Sequence, residues 1–219
     1  MSNTPNFNIL ELFPTPVFAT QLPEVHGSVV EWFYKQEMLG GGEEKGVDVA
    51  NYGDRSKNSY ILDEPECKDL KELLLGLTKT YSDYLGYDYD EYKLGQSWLS
   101  YKHPGQHHNQ HSHPNSLISG VFYFGQPEEK TPVINFHKMT GGINAPVISP
   151  KMKRDLQGIK YASETFSVSF TPGLLLLFPS YLYHSVPLNQ TQTTRCSLSF
   201  NVVPGVGFGD EMTLTELKF

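Results

Sequence analysis

Cysteine is scarce in this 219-residue chain. Cys67 and Cys196 are too few for a disulfide framework, and neither sits in a CxxC pair, so a reducing compartment is expected. Long hydrophobic runs are also missing. The longest, LLLLF at 174–178, falls far short of the roughly 20 residues that span a bilayer. The opening stretch, MSNTPNFNILELFPTPVF, lacks the basic-then-apolar order of a secretory leader. Together these absences lead us to expect a cytoplasmic protein with no membrane partner. Basic clusters are no longer than KMKR at 151–154, and the formal charge is −7. That leaves no electrostatic footprint for nucleic acid or anionic lipid, and no nucleic-acid partner is expected.

What is present suits a soluble globular protein: 38% hydrophobic, 13% aromatic and 19% charged residues, well away from a disordered composition. No repeat or linker divides the chain, so we expect a single domain over 1–219. Its N-terminal strand and supporting helices lie in 1–94 and a barrel core in 95–204. TPVFAT (15–20) reads as a first strand. SVVEWFYKQEML (28–39) reads as a short amphipathic helix capped by Ser28, closed by the glycine-rich stretch from 40. A second helix is expected from Pro65 to about Leu85, with Leu70, Leu73, Leu74, Leu77, Tyr81, Tyr84 and Leu85 at helical spacing and Gly86 ending it. From 95 onward short alternating or apolar runs, QSWLSYK, SLISGVFYF, PVINFH, TFSVSFTP, LLLLFP, HSVPL and CSLSFNVV, read as strands. The expected fold is mainly β, a sandwich or jelly roll with both helices packed on one sheet. Residues 138–163 form a long Gly/Pro-rich stretch without a period, which reads as a lid or a surface insertion.

Histidines carry the first chemical signal. His111 and His113 stand two apart at the head of SLISGVFYF, and on a strand such residues point the same way. His184, in PSYLYHSVPL, follows an apolar strand and opens the next at the barrel mouth. Two histidines from one strand end and one from a distant strand can hold a divalent transition metal on one face. The other reading is three unrelated polar residues at strand ends. The second signal is Arg195-Cys196-Ser197. Arg195 and Ser197 share a face, and an arginine inside a small barrel is costly unless it meets an anion. A guanidinium beside a hydroxyl suits a carboxylate, although a structural ion pair would also explain it.

Taken together, His-x-His, a distant His and then Arg-x-Ser resemble the iron(II)- and 2-oxoglutarate-dependent oxygenases. The resemblance is stronger to their small bacterial and phage branch, through FPTPVF, HSHPNSLISGVFYF and PGLLLLFPSYLYHSVPL followed by TRCSLSFNV. It implies a double-stranded β-helix with Fe(II) at the open end and 2-oxoglutarate as co-substrate. The far carboxylate of 2-oxoglutarate would meet Arg195 and Ser197, with Ser100 a further contact if Trp98 points inward. It also implies O2 as a partner and an unidentified substrate, a small molecule or a protein side chain. The outcome would be hydroxylation, or demethylation through hydroxylation, with release of succinate and CO2.

One position departs from the superfamily: the slot that usually holds Asp or Glu is His113. His113 either ligates directly, or stands behind a water as in the aspartyl/asparaginyl β-hydroxylases, or leaves the slot to Asn115. We take His111, His113 and His184 as the ligand set. Of the other histidines, His103, His107 and His108 lie in an expected loop, where His108 is a candidate for touching substrate or a ligand. His137 is another such candidate at a strand end. Two further readings stay open: a cupin-type three-histidine metalloenzyme without 2-oxoglutarate, and a non-catalytic jelly-roll binding module.

Overall fold

The structure is a computed structural model. It describes residue 11 and residues 14–22, 27–40, 53–125, 131–138 and 163–218. The expected lid or insertion (138–163) therefore lies, apart from its two end residues, outside the described residues. In chain order the elements are β1 (Phe18–Gln21), α1 (Gly27–Phe33), β2 (Met38–Leu39), β3 (Asp54–Ser56), α2 (Lys68–Leu85), β4 (Tyr92–Lys102), β5 (His108–His111) and β6 (Ile118–Phe124). There follow β7 (Pro132–His137), β8 (Thr165–Ser169), β9 (Leu174–Pro179), β10 (His184–Val186), β11 (Arg195–Pro204), β12 (Gly207–Phe208) and β13 (Leu217–Lys218).

Two sheets face each other. A seven-stranded sheet runs β1-β9-β6-β11-β4-β3-β2, and a four-stranded sheet runs β5-β10-β7-β8. All of their paired strands are antiparallel. Strand alternation divides the large sheet's side chains cleanly. Ile118, Phe122, Phe124, Leu175, Leu177, Leu198 and Phe200 point outward and pack with Phe33 of α1 and Leu70, Leu74 and Tyr81 of α2. Val121, Tyr123, Leu174, Leu176 and Phe178 point inward, against Val133, Ile134 and Phe136 of the small sheet. Fully burying each large apolar side chain contributes about 1.5–3 kcal/mol, so both layers of core hold the barrel shut. This is the jelly roll with helices on one sheet that the strand pattern implied, and the double-stranded β-helix that the resemblance implied.

Helix α2 follows the sequence pattern closely. A short 3₁₀ turn over Pro65–Cys67 leads into it. Gly86 ends it at φ 76°, a left-handed conformation that glycine adopts without penalty. Leu73 and Tyr84, expected on the packed side, are exposed. Helix α1 corrects the expectation more. It stops at Phe33 rather than Leu39, because the backbone tightens into i to i+3 bonds from Lys35 and Gln36 and the Gln36 amide donates to the Trp32 carbonyl. Met38 and Leu39 then pair as a strand with Arg55 and Ser56. Ser28 lies inside the first turn instead of capping it.

The His-x-His segment brings another correction. His111 ends β5, a strand not foreseen, and His113 falls in the connection before β6. The two are therefore not brought to one side by strand alternation. His113 is anchored instead by its backbone N–H, which donates to the Ser180 carbonyl at 2.9 Å. His108, expected in a loop, begins β5.

Candidate metal centre and its cation-lined cavity

Strand pairing sets the first contact of the site. β10 lies between β5 and β7, and its register places His184 directly across from His111. The His111 and His184 rings lie 4.3 Å apart, and His113 closes the triangle at 5.1 and 5.2 Å from them, centre to centre. One ligand atom from each of the three lies within 4.8 Å of the others. His184 is buried, with Phe178 4.9 Å away ring to ring, and Trp98 flanks His113 at 6.0 Å.

The protonation of these rings suits a cation. The Nδ1–H of His111 donates to the Asn109 carbonyl at 2.8 Å, and that of His184 to the Leu182 carbonyl at 2.9 Å. A ring held this way keeps its Nε2 electron pair for a metal, and the backbone bond fixes its orientation. Burial, reinforced by neighbouring imidazoles, pushes His184 down to about 3 and His113 down to about 4. Burial also lowers His111. Neutral imidazoles are the form in which histidine ligates. The donor set therefore fits a first-row divalent ion.

The cavity continues inward from the histidines to the β4–β11 pair. Its volume is about 80 Å³, room for a small organic acid and not for a bulky substrate. Arg195, Ser197 and Ser199 reach it from β11, Trp98, Ser100 and Lys102 from β4, and Ser119, Val121 and Tyr123 from β6. Arg195 and Ser197 thus share the inner face as their spacing required, and Ser100 lies across from Ser197. Arg195 is only 3% exposed and donates from Nη2 to the Pro187 carbonyl. Burial raises the Tyr123 phenol, while the Arg195 guanidinium pulls it the other way.

The remaining candidates separate. His108 lines the cavity with its ring 4.4 Å from that of His111. His137 does not line it. It accepts or donates at Ser185 Oγ, 2.8 Å away, and borders a separate cleft with Phe136 and Thr165. Asn115 is exposed in the turn between β5 and β6, outside the histidine group. His103, in the expected loop, bridges Thr194 Oγ1 at 2.8 Å and Asp54 Oδ2 at 3.2 Å. Among the cavity residues that the sequence reading did not single out are Lys102 and Tyr123. The signal for Lys102 was its two-residue spacing from Trp98 and Ser100. Tyr123 was masked by lying in an unbroken apolar run.

Comparison with known proteins agrees with this geometry. Residues 96–201 match the family model described as "Putative 2OG-Fe(II) oxygenase". No curated protein matches the sequence. Among solved structures, the chain is similar to an oxidoreductase of the 2OG-Fe(II) oxygenase family from Burkholderia pseudomallei. The TM-score is 0.55 at 10% identity, over 80% of this chain and 75% of that one. It is also similar to HygX from Streptomyces hygroscopicus, solved with nickel and 2-oxoglutarate bound, at TM-score 0.57 and 11% identity over 87% and 84% of the two chains. A third is SnoN, a non-heme α-ketoglutarate-dependent epimerase from nogalamycin biosynthesis, at TM-score 0.58 and 12% identity over 88% and 77%. At such identities these likenesses establish the fold. The matched segment runs from β4 through most of β11 and contains the three histidines, Arg195 and Ser197.

Proposed function

We propose that this chain is an Fe(II)- and 2-oxoglutarate-dependent dioxygenase that hydroxylates a C–H bond of its substrate, or removes a methyl group through such a hydroxylation. His111, His113 and His184 would hold the metal, and Arg195 with Ser197 and Ser100 would hold the far carboxylate of the co-substrate. The observation that carries the reading is one cavity lined at one end by three clustered imidazoles and at the other by a buried guanidinium. When bound, iron and 2-oxoglutarate supply the O2-dependent oxidation, with succinate and CO2 as by-products.

The chain's own part is binding, orientation and exclusion of water. The guanidinium fork and a hydroxyl fix a carboxylate in one orientation, which sets how the rest of the acid approaches the histidines. Val121, Val133, Ile134 and Phe178 form the apolar part of the lining and keep the cavity poor in water. The substrate must approach from outside, because the cavity has no room for it beside the acid. A single-domain organisation over 1–219 and a reducing, cytoplasmic setting belong to the same proposal; Cys67 and Cys196 are both buried free thiols.

Adding Fe(II) and 2-oxoglutarate without oxygen tests the reading. A weak visible charge-transfer band is expected, followed on admitting O2 by release of succinate. No band, with metal bound, would favour a three-histidine metalloenzyme that does not use 2-oxoglutarate.

A further inference from the structure

We propose that Ser180 is a positioning residue of the metal centre: a buried series of hydroxyls clamps it, and through it holds His113 beside His111 and His184. The inference rests on the ligand set proposed above and adds to it what keeps a residue outside any strand in place. His113 lies in the connection between β5 and β6, so no strand pairing of its own fixes it. Ser180, directly after β9, engages that connection with all three of its polar groups. Its carbonyl accepts the His113 N–H at 2.9 Å, and its N–H donates to the Leu117 carbonyl at 3.1 Å. Its hydroxyl accepts from Ser116 Oγ at 2.8 Å. His184 opens β10 just beyond it. One residue thus ties together the segments that bring two of the three ligands.

The hydrogens of the series run one way. Ser119 gives its hydroxyl hydrogen to Asn201 Oδ1 at 2.9 Å. In the 2.8 Å contact between Ser180 and Ser119 the donor is therefore Ser180, since a serine has one hydrogen to give. Ser116 donates to Ser180, Ser180 to Ser119 and Ser119 to Asn201. Hydrogen bonds in such a series strengthen one another in a low-dielectric interior, and Ser180, Ser119 and Asn201 are all buried. The far end is rigid, because Ser119 and Asn201 are direct partners in the β6–β11 register. Ser180→Ala cuts the series in the middle. It leaves the two backbone bonds in place but detaches the Ser116 end of the connection from the sheet, and the His113 ring is then free to move away from the other two imidazoles.

The test titrates Co(II), read by calorimetry and by its visible absorption, into wild type, Ser180→Ala, His113→Ala and the double variant. Ser180→Ala should weaken Co(II) binding by about tenfold, the lower end of what partners behind a ligand contribute. It should also alter the visible band, which follows coordination geometry. In the His113→Ala background the same change should cost nothing further. Ser116→Ala removes the first donor from a half-buried position and spares the core, so it serves where Ser180→Ala does not fold; it should weaken Co(II) by about two- to tenfold. Thr78→Ala controls for stability alone. It removes a buried hydroxyl bonded to the Leu74 carbonyl of α2, on the far side of the large sheet, and should leave the affinity unchanged. A folded Ser180→Ala or Ser116→Ala variant with wild-type affinity and spectrum overturns the assignment. So does an equal loss from Ser180→Ala with His113 present or absent, or an equal loss from Thr78→Ala. A His113→Ala variant that binds Co(II) like wild type overturns the ligand set itself, so the two failures are distinguishable.

Discussion

Lys102 should make the protein more stable as pH rises through the mildly alkaline range. Burial is the main cause that pushes its pKa from 10.5 down to about 8; the Arg195 guanidinium lowers it further, and Asp54 partly opposes both. The other titratable groups close by, His108 and His111 on β5, are themselves driven towards the neutral form. Because the folded state holds the Lys102 proton less tightly, the unfolded chain binds more protons between pH 8 and 10.5. The penalty is therefore complete below about pH 8 and is relieved as pH climbs towards 10.5. The full displacement corresponds to roughly 3 kcal/mol, of which about 2 kcal/mol should be recovered between pH 7 and 9.5.

The measurement is urea unfolding of metal-free wild type and Lys102→Met at steps across pH 7 to 9.5. The variant should be more stable at pH 7 by up to about 3 kcal/mol, with the gap narrowing steadily as pH rises. Buried tyrosines such as Tyr81 and Tyr92, whose phenols burial raises, act oppositely near pH 10 but equally in both proteins. Their effect cancels in the difference. A gap that stays constant across the range would refute the claim that burial lowers the Lys102 pKa.

Three further predictions concern the site and the scaffold behind it. His184→Ala should abolish metal binding and also lower stability by about 1–3 kcal/mol, because the ring is buried against Phe178; metal analysis and denaturation read the two losses separately. His113→Asp should keep tight Fe(II) binding and 2-oxoglutarate turnover, whereas His113→Ala should weaken the metal by tenfold or more if the ring ligates directly. An alanine variant with wild-type metal affinity would exclude it. Gly120→Ala should cost about 1–3 kcal/mol, since a Cβ there would stand 2.2 Å from the Phe200 ring, and the companion variant Phe200→Leu should recover part of the loss.

How much of this could be read from the chain alone depended on whether the signal was local. The β4, β6, β9 and β11 strands are legible because each repeats with period two or is apolar throughout. Arg195 and Ser197 follow from the same arithmetic. Helix α2 has its stripe and its terminal Gly86. The convergence of His111, His113 and His184 was foreseen, but for a reason that does not hold. The sequence suggested a shared strand face, while the fold uses the β5–β10 register for His111 and a backbone bond to Ser180 for His113. Both are long-range contacts with no trace in local spacing. β5 itself, His-Asn-Gln-His, has no apolar residue to mark it, and only pairing with β10 makes it a strand. Lys102 was missed for the opposite reason. Its spacing was plain, yet a lysine at a strand end ordinarily reaches for water, and its burial follows only from the arginine's strand lying beside it.

The β4–β11 pair explains why a site of this polarity can sit inside a small barrel at all. Each strand gives its outer face to the core, with Leu99, Leu198 and Phe200 buried towards the helices. Each gives its inner face to chemistry, with Ser100 and Lys102 on one strand and Arg195, Ser197 and Ser199 on the other. A slip of one residue would exchange the faces, driving Arg195 into the apolar layer and Leu198 into the cavity. Core packing on the far side therefore enforces the register of the site. Phe200 lies over Gly120 of β6, so that neighbouring strand helps to pin it. The irregularity in the β4–β11 pairing falls between Phe200 and Val202, just past the last polar residue lining the cavity. The extra residue lies in β4, which advances three residues from Ser97 to Leu94 against two from Phe200 to Val202, so β11 keeps its alternation and Val202 stays in the helix-facing core beside Phe200. The strand can then finish its run to Pro204 without disturbing the register that holds Arg195 against Lys102.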